Sequence, residues 1–423
     1  MRYSMNLDCG TRSRGRRAAI CLSAILALGL SGCDSLLDVE LQSRLPAEAL
    51  NDPSLASTLV LGAVADFECA LTNFVAASAM LTDELIGSTG WIAPTTWDQR
   101  RIFPDNGNLG ASGCTSLGWG VFTPLSTAYF QTQEAIRLIT EFSDADVPDK
   151  PDLLATATAY GAQTLTILGE AFCEVAVELG PIMTPQATLQ MAEEQFSNAM
   201  QLAQQAGNTE IGNMARAGRA RVRLDLGDLA GAAADAGEVP VGFVMNATYS
   251  STTERRWNRV AVDSHENFYV SMDPRFRGLM VDGVPDSRVE VIDAGHNGHD
   301  GLTHSYLTGK YLSNSDPIPI ASWDLAQLII AEAEGGQTAV AAINLLRVKS
   351  NLPLFSSGDA AEIAAQVREE RRRELYLEGH RLNDFLRFNL EWDTGTTHKG
   401  TPFGTTTCMP LPDVERDNNP NIT

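Results

Sequence analysis

From Leu55 to Leu81 apolar residues recur at steps of three and four: Leu55, Leu59, Ala63, Phe67, Leu71, Phe74 and Leu81, with Ser78 in the same phase. That period is one face of an α-helix. Asn51-Asp52-Pro53 precedes it, where Asp52 can cap the helix and Pro53 suits a first helical position. A second helix is predicted from Ser126 to Phe142, and helix pairs broken by one long insertion from Asp152 to Asn351.

The pairs are similar to tetratricopeptide units, in which a small residue lets two antiparallel helices approach and a glycine turns the chain between them. In one, Ala220 lies on the first helix, Gly227-Asp228-Leu229 makes the turn, and Ala232 and Ala236 give the second helix a small face. A later pair has Gly336 at the turn and Ala341 at the offset that separates Gly227 from Ala232. An earlier one runs from Ala159 through Leu168-Gly169 to a partner helix from Gln186 to Ala206.

Two stretches break this pattern. Residues 239–319 hold short strand-like runs at Asn267 to Met272, Arg288 to Ile292 and Ser305 to Tyr311 among glycines, prolines and aspartates. Residues 87–124 are poor in helix signals and rich in rings: Trp91, Trp97, Phe103, Trp119 and Phe122. Long insertions on a helical scaffold are either functional or disordered, and aromatic content argues against disorder. The expected fold is mainly α: a tetratricopeptide-like superhelix, with pairs at about 152–236 and 321–389, and an irregular, loop-rich half containing a few short strands.

Ahead of the helices, Arg2, Arg12, Arg14, Arg16 and Arg17 are followed by an apolar stretch from Ala18 to Leu30. It is too short to span a bilayer, which takes about 20 residues, so the layout is that of a removable secretory signal. It ends in Leu30-Ser31-Gly32-Cys33, which resembles the lipobox of bacterial lipoproteins, where small residues precede a cysteine whose thiol receives diacylglycerol. The expectation is a signal peptide over 1–32 and a mature domain over 33–423, lipid-anchored at Cys33. Loss of the signal removes five arginines and one aspartate, taking the formal charge from -22 to -26. A surface so acidic repels phosphate backbones, which argues against nucleic acid as a partner.

Cys9 and Cys21 leave with the signal and Cys33 is acylated, which leaves Cys69, Cys114, Cys173 and Cys408. In an oxidising compartment these imply two disulfides, with three connectivities open.

The C-terminal hundred residues carry a family resemblance. Ser322-Trp323-Asp324 leads into Leu328-Ile329-Ile330-Ala331-Glu332-Ala333; further on stands a run from Glu369 to Arg381, Glu-Glu-Arg-Arg-Arg-Glu-Leu-Tyr-Leu-Glu-Gly-His-Arg, with Asp384 and Arg387 after it. Together with Met409-Pro410-Leu411-Pro412, Glu415-Arg416, Asn419-Pro420-Asn421, the lipobox and Leu37-Asp38-Val39, this resembles the SusD/RagB family of outer-membrane nutrient-binding lipoproteins. The resemblance implies a tetratricopeptide-like superhelix under a ligand-binding, loop-rich half, no catalytic activity, no cofactor, a place on the cell outer membrane facing outward, and a TonB-dependent, SusC-like transporter as partner. Physically, the charged run reads as structural: Glu370 with Glu374, Arg373 with Leu377 and Glu374 with Glu378 are helical neighbours, Leu375 and Leu377 can bury, and the charges can pair with each other and with loop carbonyls. His380 behind Gly379 likewise reads as a packed, hydrogen-bonded residue.

Catalytic motifs are missing from the sequence: it has no HExxH pair, GxSxG elbow, GxxxxGK[ST] loop or dinucleotide fingerprint. His296, His299, Asp300 and His304 could hold a divalent ion or touch a ligand, but the glycines around them suggest a mobile loop without fixed ligand geometry, and no metal is expected. Binding a sugar takes flat rings to stack on the pyranose and polar groups to take its hydroxyls. Trp91, Trp97 and Trp119 are candidate ligand platforms, with Asp98, Gln99, Arg100, Asn106 and Asn108 near in sequence, and Trp257 is a fourth. The alternative is that the tryptophans close the hydrophobic floor of the loop layer. The expected function is capture of a glycan or other polymer-derived nutrient, such as a peptide, for delivery to the transporter; the rivals are a lipid-anchored exported hydrolase and an envelope scaffold built from repeats.

Overall fold

The computed structural model describes residues 50–110, 113–114 and 119–422. The signal peptide, Cys33, and Leu37-Asp38-Val39 lie outside the described residues. The first long helix, α1 (Ala56–Leu81), opens as the sequence predicts: Asp52 accepts the N–H of Ser54, and Pro53 begins a 3-10 turn that runs into the helix. Every residue of α1 from Phe67 to Leu81 is buried. A helix apolar all round belongs in a core, and α1 is packed against α3 (Phe122–Glu141), α4 (Lys150–Ala171) and α2 (Ile92–Asp98). Helix α3 starts ahead of the predicted Ser126 because Pro124 is tolerated in a first turn.

The superhelix continues through α5 (Pro185–Ala206), α6 (Thr209–Leu226) and α7 (Leu229–Gly237), then α8 (Trp323–Glu334), α9 (Gly336–Lys349), α10 (Ala360–Glu374) and α11 (Arg381–Arg387). Each of α5 to α7 packs on the helix before it, and α8 packs on both α7 and α9. Gly227 ends α6 at φ +83°, a conformation that penalises any Cβ, and Asp228 caps α7 through the N–H of Gly231. Ala232 and Ala236 are fully buried, as the small-face reading requires.

Two details of the repeat reading are corrected. Gly169 does not turn the chain: α4 runs on to Ala171, and a Cβ at Gly169 would lie 2.8 Å from the Leu189 side chain, so its absence lets α4 and α5 approach. Ala341 does not face the partner helix. It is exposed, while Ala339, Ala342 and Ile343 are buried, because α9 also packs on α10.

Among the described residues the loop-rich half has four two-stranded antiparallel sheets: β1 (Leu85–Gly87) with β3 (Val270–Met272), β2 (Val244–Ala247) with β8 (Ile318–Ser322), β4 (Met280–Val281) with β5 (Val284–Pro285), and β6 (Val291–Asn297) with β7 (His304–Thr308). Strands β3, β6 and β7 fall on or beside the predicted runs. The β1–β3 pair joins the two insertions, with Leu85 opposite Met272.

Of the three connectivities open to the cysteines, the structure has Cys69–Cys114, with Cα atoms 6.0 Å apart, and Cys173–Cys408, at 5.3 Å. Beside the second, Met409 forms a parallel bridge with Phe172, its N–H on Ala171 and its carbonyl on Cys173. The Asn-Pro-Asn segment has a physical role too. Asn419 and Asn421 donate to the carbonyls of Gly180 and Leu179, in a turn where Glu178 and Leu179 hold positive φ.

Candidate ligand-binding site

Four segments remote in sequence meet on the loop-rich half. Trp91, at the start of α2, meets Tyr269 edge-on with ring centroids 5.6 Å apart, and Tyr269 meets the ring of His299 at 5.0 Å. Beside them Phe268 meets His296 at 4.7 Å. Trp91, Phe268 and Tyr269 are half-buried, and His296 and His299 are exposed, so the rings present edges and faces outward. Such rings suit a ligand with apolar faces and polar rims.

The backbone holds these rings in place. The tip between β6 and β7 docks through the N–H of His299 on the Phe268 carbonyl (3.0 Å) and that of Asp300 on the Ser88 carbonyl (2.9 Å). A Cβ at Gly298 would lie 2.6 Å from Ser88, so only glycine allows this approach. Phe268 itself sits at φ +52°, an unfavourable backbone for an aromatic residue, held by Ser88, whose hydroxyl also donates to its carbonyl. The fourth segment brings Lys399, whose ammonium donates to the Thr89 carbonyl (2.7 Å) and pairs with Asp300 (2.6 Å).

Charges around the rings are set by burial and by these partners. Burial raises Asp300, but Lys399 and the N–H groups of Thr303 and Leu302 outweigh it and hold the carboxyl down at about 2. Asp98, beneath the rings, goes the other way: burial pushes it up to about 7, with the Gly87 N–H and Lys399 opposing. Asp293 pairs with His304 at 2.5 Å.

The imidazoles predicted on a mobile loop stand on a hairpin instead, with His296 on β6 and His304 opening β7. They do not converge: His299 faces Thr89, His304 faces Asp293, and His296 meets the Asn297 carbonyl. Among the described residues no three His, Cys, Asp or Glu groups are placed to hold a metal ion.

The tryptophans divide. Trp97 and Trp119 are in the core, 0% and 1% exposed, and offer no face to a ligand; this corrects their reading as platforms and realises the hydrophobic-floor alternative. Arg100 is also buried, its guanidinium between Trp392 and Phe403. Trp91 alone of the first three joins the ring cluster. Trp257 is half-buried in a separate neighbourhood, beside Arg255 and Arg256, which pair with Asp66 and Glu68 on α1. Phe268, Tyr269 and Lys399 escaped the sequence reading. The adjacent pair of rings at the head of a strand was the available signal; the left-handed turn at Phe268 and the approach of residue 399 left none.

The charged run is structural throughout. Glu370, wholly buried, accepts from Arg347 at 2.7 Å and from Arg288 at 2.6 Å. Arg381 forks onto Asp83, and Arg371 onto Asp384. The Leu377 N–H donates to Glu84, whose carboxyl burial pushes up to about 8. Most partners thus come from other elements; Glu369 with Arg372 and Arg373 is the pairing made along the helix. His380 is buried, and burial with the nearby Arg221 and Arg371 holds its ring well below the ordinary histidine range, hence uncharged.

Paired helices carrying a ring cluster on inserted loops make this a helical-repeat protein. Residues 328–423 match the model of the SusD family. In three dimensions the chain is similar to a SusD-like carbohydrate binding protein from Bacteroides vulgatus (13% identity, 88% of this chain and 97% of that one, TM-score 0.65). It is also similar to SusD superfamily proteins from Parabacteroides distasonis (14%, 90% and 99%, 0.65) and Bacteroides vulgatus (17%, 88% and 98%, 0.66). No curated protein matches the chain in sequence. The C-terminal part of the chain thus matches the SusD family, and the chain has the fold of SusD-like proteins.

Proposed function

We propose that the chain is an exported lipoprotein, anchored at Cys33 on the outer membrane and facing outward, that binds a glycan or another polymer fragment and delivers it to a TonB-dependent transporter. The observation that carries this reading is the line of rings Trp91, Tyr269 and His299, with Phe268 and His296 beside it, fixed by main-chain bonds on the loop-rich half. One protein of the same fold is described as carbohydrate binding. Of the carboxylates near the rings, Asp300 is committed to Lys399 and Asp293 to His304, and Asp98 is buried away from solvent, which favours binding over hydrolysis. A tethered binder without a pore needs a transporter to move its ligand, and repeat arrays offer extended docking surfaces.

The test is a paired glycan and peptide array probed with residues 34–423, wild type and Tyr269→Ala, with product release followed on every ligand retained. Retention by the wild type, lost in Tyr269→Ala and without product, supports the reading. Steady product release favours the hydrolase, and retention of nothing, peptides included, favours the scaffold.

A further inference from the structure

The two imidazoles of the ring cluster are fixed in different tautomers. His296 Nδ1 lies 2.8 Å from the Asn297 carbonyl, which can only accept, so the neutral ring carries its proton on Nδ1 and a lone pair on Nε2. His299 Nδ1 lies 3.3 Å from the Thr89 hydroxyl. That oxygen already accepts from the Trp91 N–H (3.1 Å), so its own proton turns to Nδ1 and His299 keeps a proton on Nε2. Both side chains are exposed, and among the described residues neither Nε2 has a hydrogen-bond partner. His296 meets the ring of Phe268 at 4.7 Å and His299 that of the adjacent Tyr269 at 5.0 Å. The ring face thus offers one free acceptor and one free donor.

The charges around these rings are already engaged. Lys399 is held by Asp300 and the Thr89 carbonyl, and His304 by Asp293. His398 donates to the Gly87 carbonyl, and burial and then Lys399 hold its ring below the ordinary histidine range. Asp98 is buried beneath them. An acidic sugar meets no unpaired cation here, and it approaches a chain of formal charge -22.

We propose that His296 and His299 select the ligand of this face by charge: as neutral rings they take uncharged sugars, His299 donating to one hydroxyl and His296 accepting from another, and they admit acidic sugars only once protonated. This rests on the binding role given above and adds the class of sugar. A hydroxyl can donate or accept and so satisfies either imidazole. A carboxylate only accepts, and the lone pair on His296 opposes it. Proton uptake turns that lone pair into an N–H, and two charged donors then favour the carboxylate. Imidazoles make this change between about pH 5 and 8.

Calorimetry on residues 34–423 tests this with neutral trisaccharides of glucose, galactose and mannose and with the matching triuronates. At about pH 8 at least one neutral trisaccharide should bind, and at least about tenfold tighter than its uronate, the scale of one mispaired polar group. Towards about pH 5.5 the uronate should gain by up to about tenfold per unit for each imidazole that takes up a proton. His296→Gln keeps an acceptor that does not titrate, on an exposed position, so it should retain the neutral sugar and lose most of that gain. Adding His299→Gln should remove the rest. Asp98 also changes charge nearby, at about 7, and Asp98→Asn should leave the gain intact. Tyr269→Ala should weaken binding of every sugar that the wild type takes.

Equal affinity for a neutral sugar and its uronate at about pH 8 would overturn the proposal, as would a preference that pH does not move. A gain kept by the double histidine variant and lost in Asp98→Asn would also overturn it. Retention of peptides alone on the arrays described above would overturn it and leave the binding role standing, whereas retention of nothing would remove both.

Discussion

Arg347 and Glu370 meet at 2.7 Å with both side chains almost sealed from solvent, and Arg288 approaches the other oxygen of the same carboxylate. Removing one partner from a buried ion pair leaves charge uncompensated, which costs about 3–5 kcal/mol. Glu370→Ala strands Arg347, while Arg288 keeps Asp286 and Glu374, so urea unfolding should show a loss within that range. A loss under about 1 kcal/mol would mean that water reaches Arg347.

Trp91 and Trp97 should behave as different kinds of residue. Trp91→Ala is expected to weaken ligand binding by about 1–3 kcal/mol with little change in stability, the scale of a stacked ring and its buried area. Trp97→Ala should destabilise the domain by about 3–5 kcal/mol through the cavity it leaves. Titration and thermal melting of both variants would expose the reverse pattern if the core assignment were mistaken.

Glu84 gives stability a pH slope of known sign. Its carboxyl sits at about 8 in the folded domain, above the ordinary 4.5, so between those values the folded state binds more protons than the unfolded one. That contribution is full below the unfolded value and disappears as pH rises through about 8. Glu84→Gln keeps an acceptor for the Leu377 N–H, and its melting temperature should fall less than the wild type's between about pH 5.5 and 8.5. Parallel curves would refute the assignment.

The two disulfides should differ in weight. Cys173–Cys408 spans a sequence separation of 235 and Cys69–Cys114 one of 45. On chain entropy alone the longer loop contributes about 1.5 kcal/mol more, within the usual 2–5 kcal/mol for losing a native bridge. Chemical denaturation of Cys408→Ala and Cys114→Ala measures the difference directly.

At the membrane, labelled palmitate should enter the wild type and not Cys33→Ala, and equal labelling would refute the anchor. A tagged copy purified in mild detergent from its host should bring down a transporter-sized β-barrel in near-equal amount; recovery of the tagged protein alone, across several detergents, would count against the complex.

The helical half was legible because its signals are local. Asp52-Pro53, Gly227-Asp228 and the period from Leu55 to Leu81 act within a few turns of chain, and the structure honours each. Ala341 misled because a sequence offset does not tell which of two faces a helix buries when neighbours pack on both sides. The candidate site was legible only in part, since it is made by long-range meetings. His299 reaches Phe268 and Thr89, Lys399 reaches Thr89, and nothing near Trp97 in sequence distinguishes it from Trp91. Burial separates the two tryptophans, and burial belongs to the assembled chain.

Met409, lying along Phe172, gives the molecule a timetable. Synthesis makes helices α1 to α11 before residue 409 exists, so the edge at Phe172, the thiol of Cys173 and the carbonyls of Leu179 and Gly180 must all wait for their partners. Whatever has coiled by then is unlatched. A chain cut short before that point would contain every helix of the superhelix and lack its clasp.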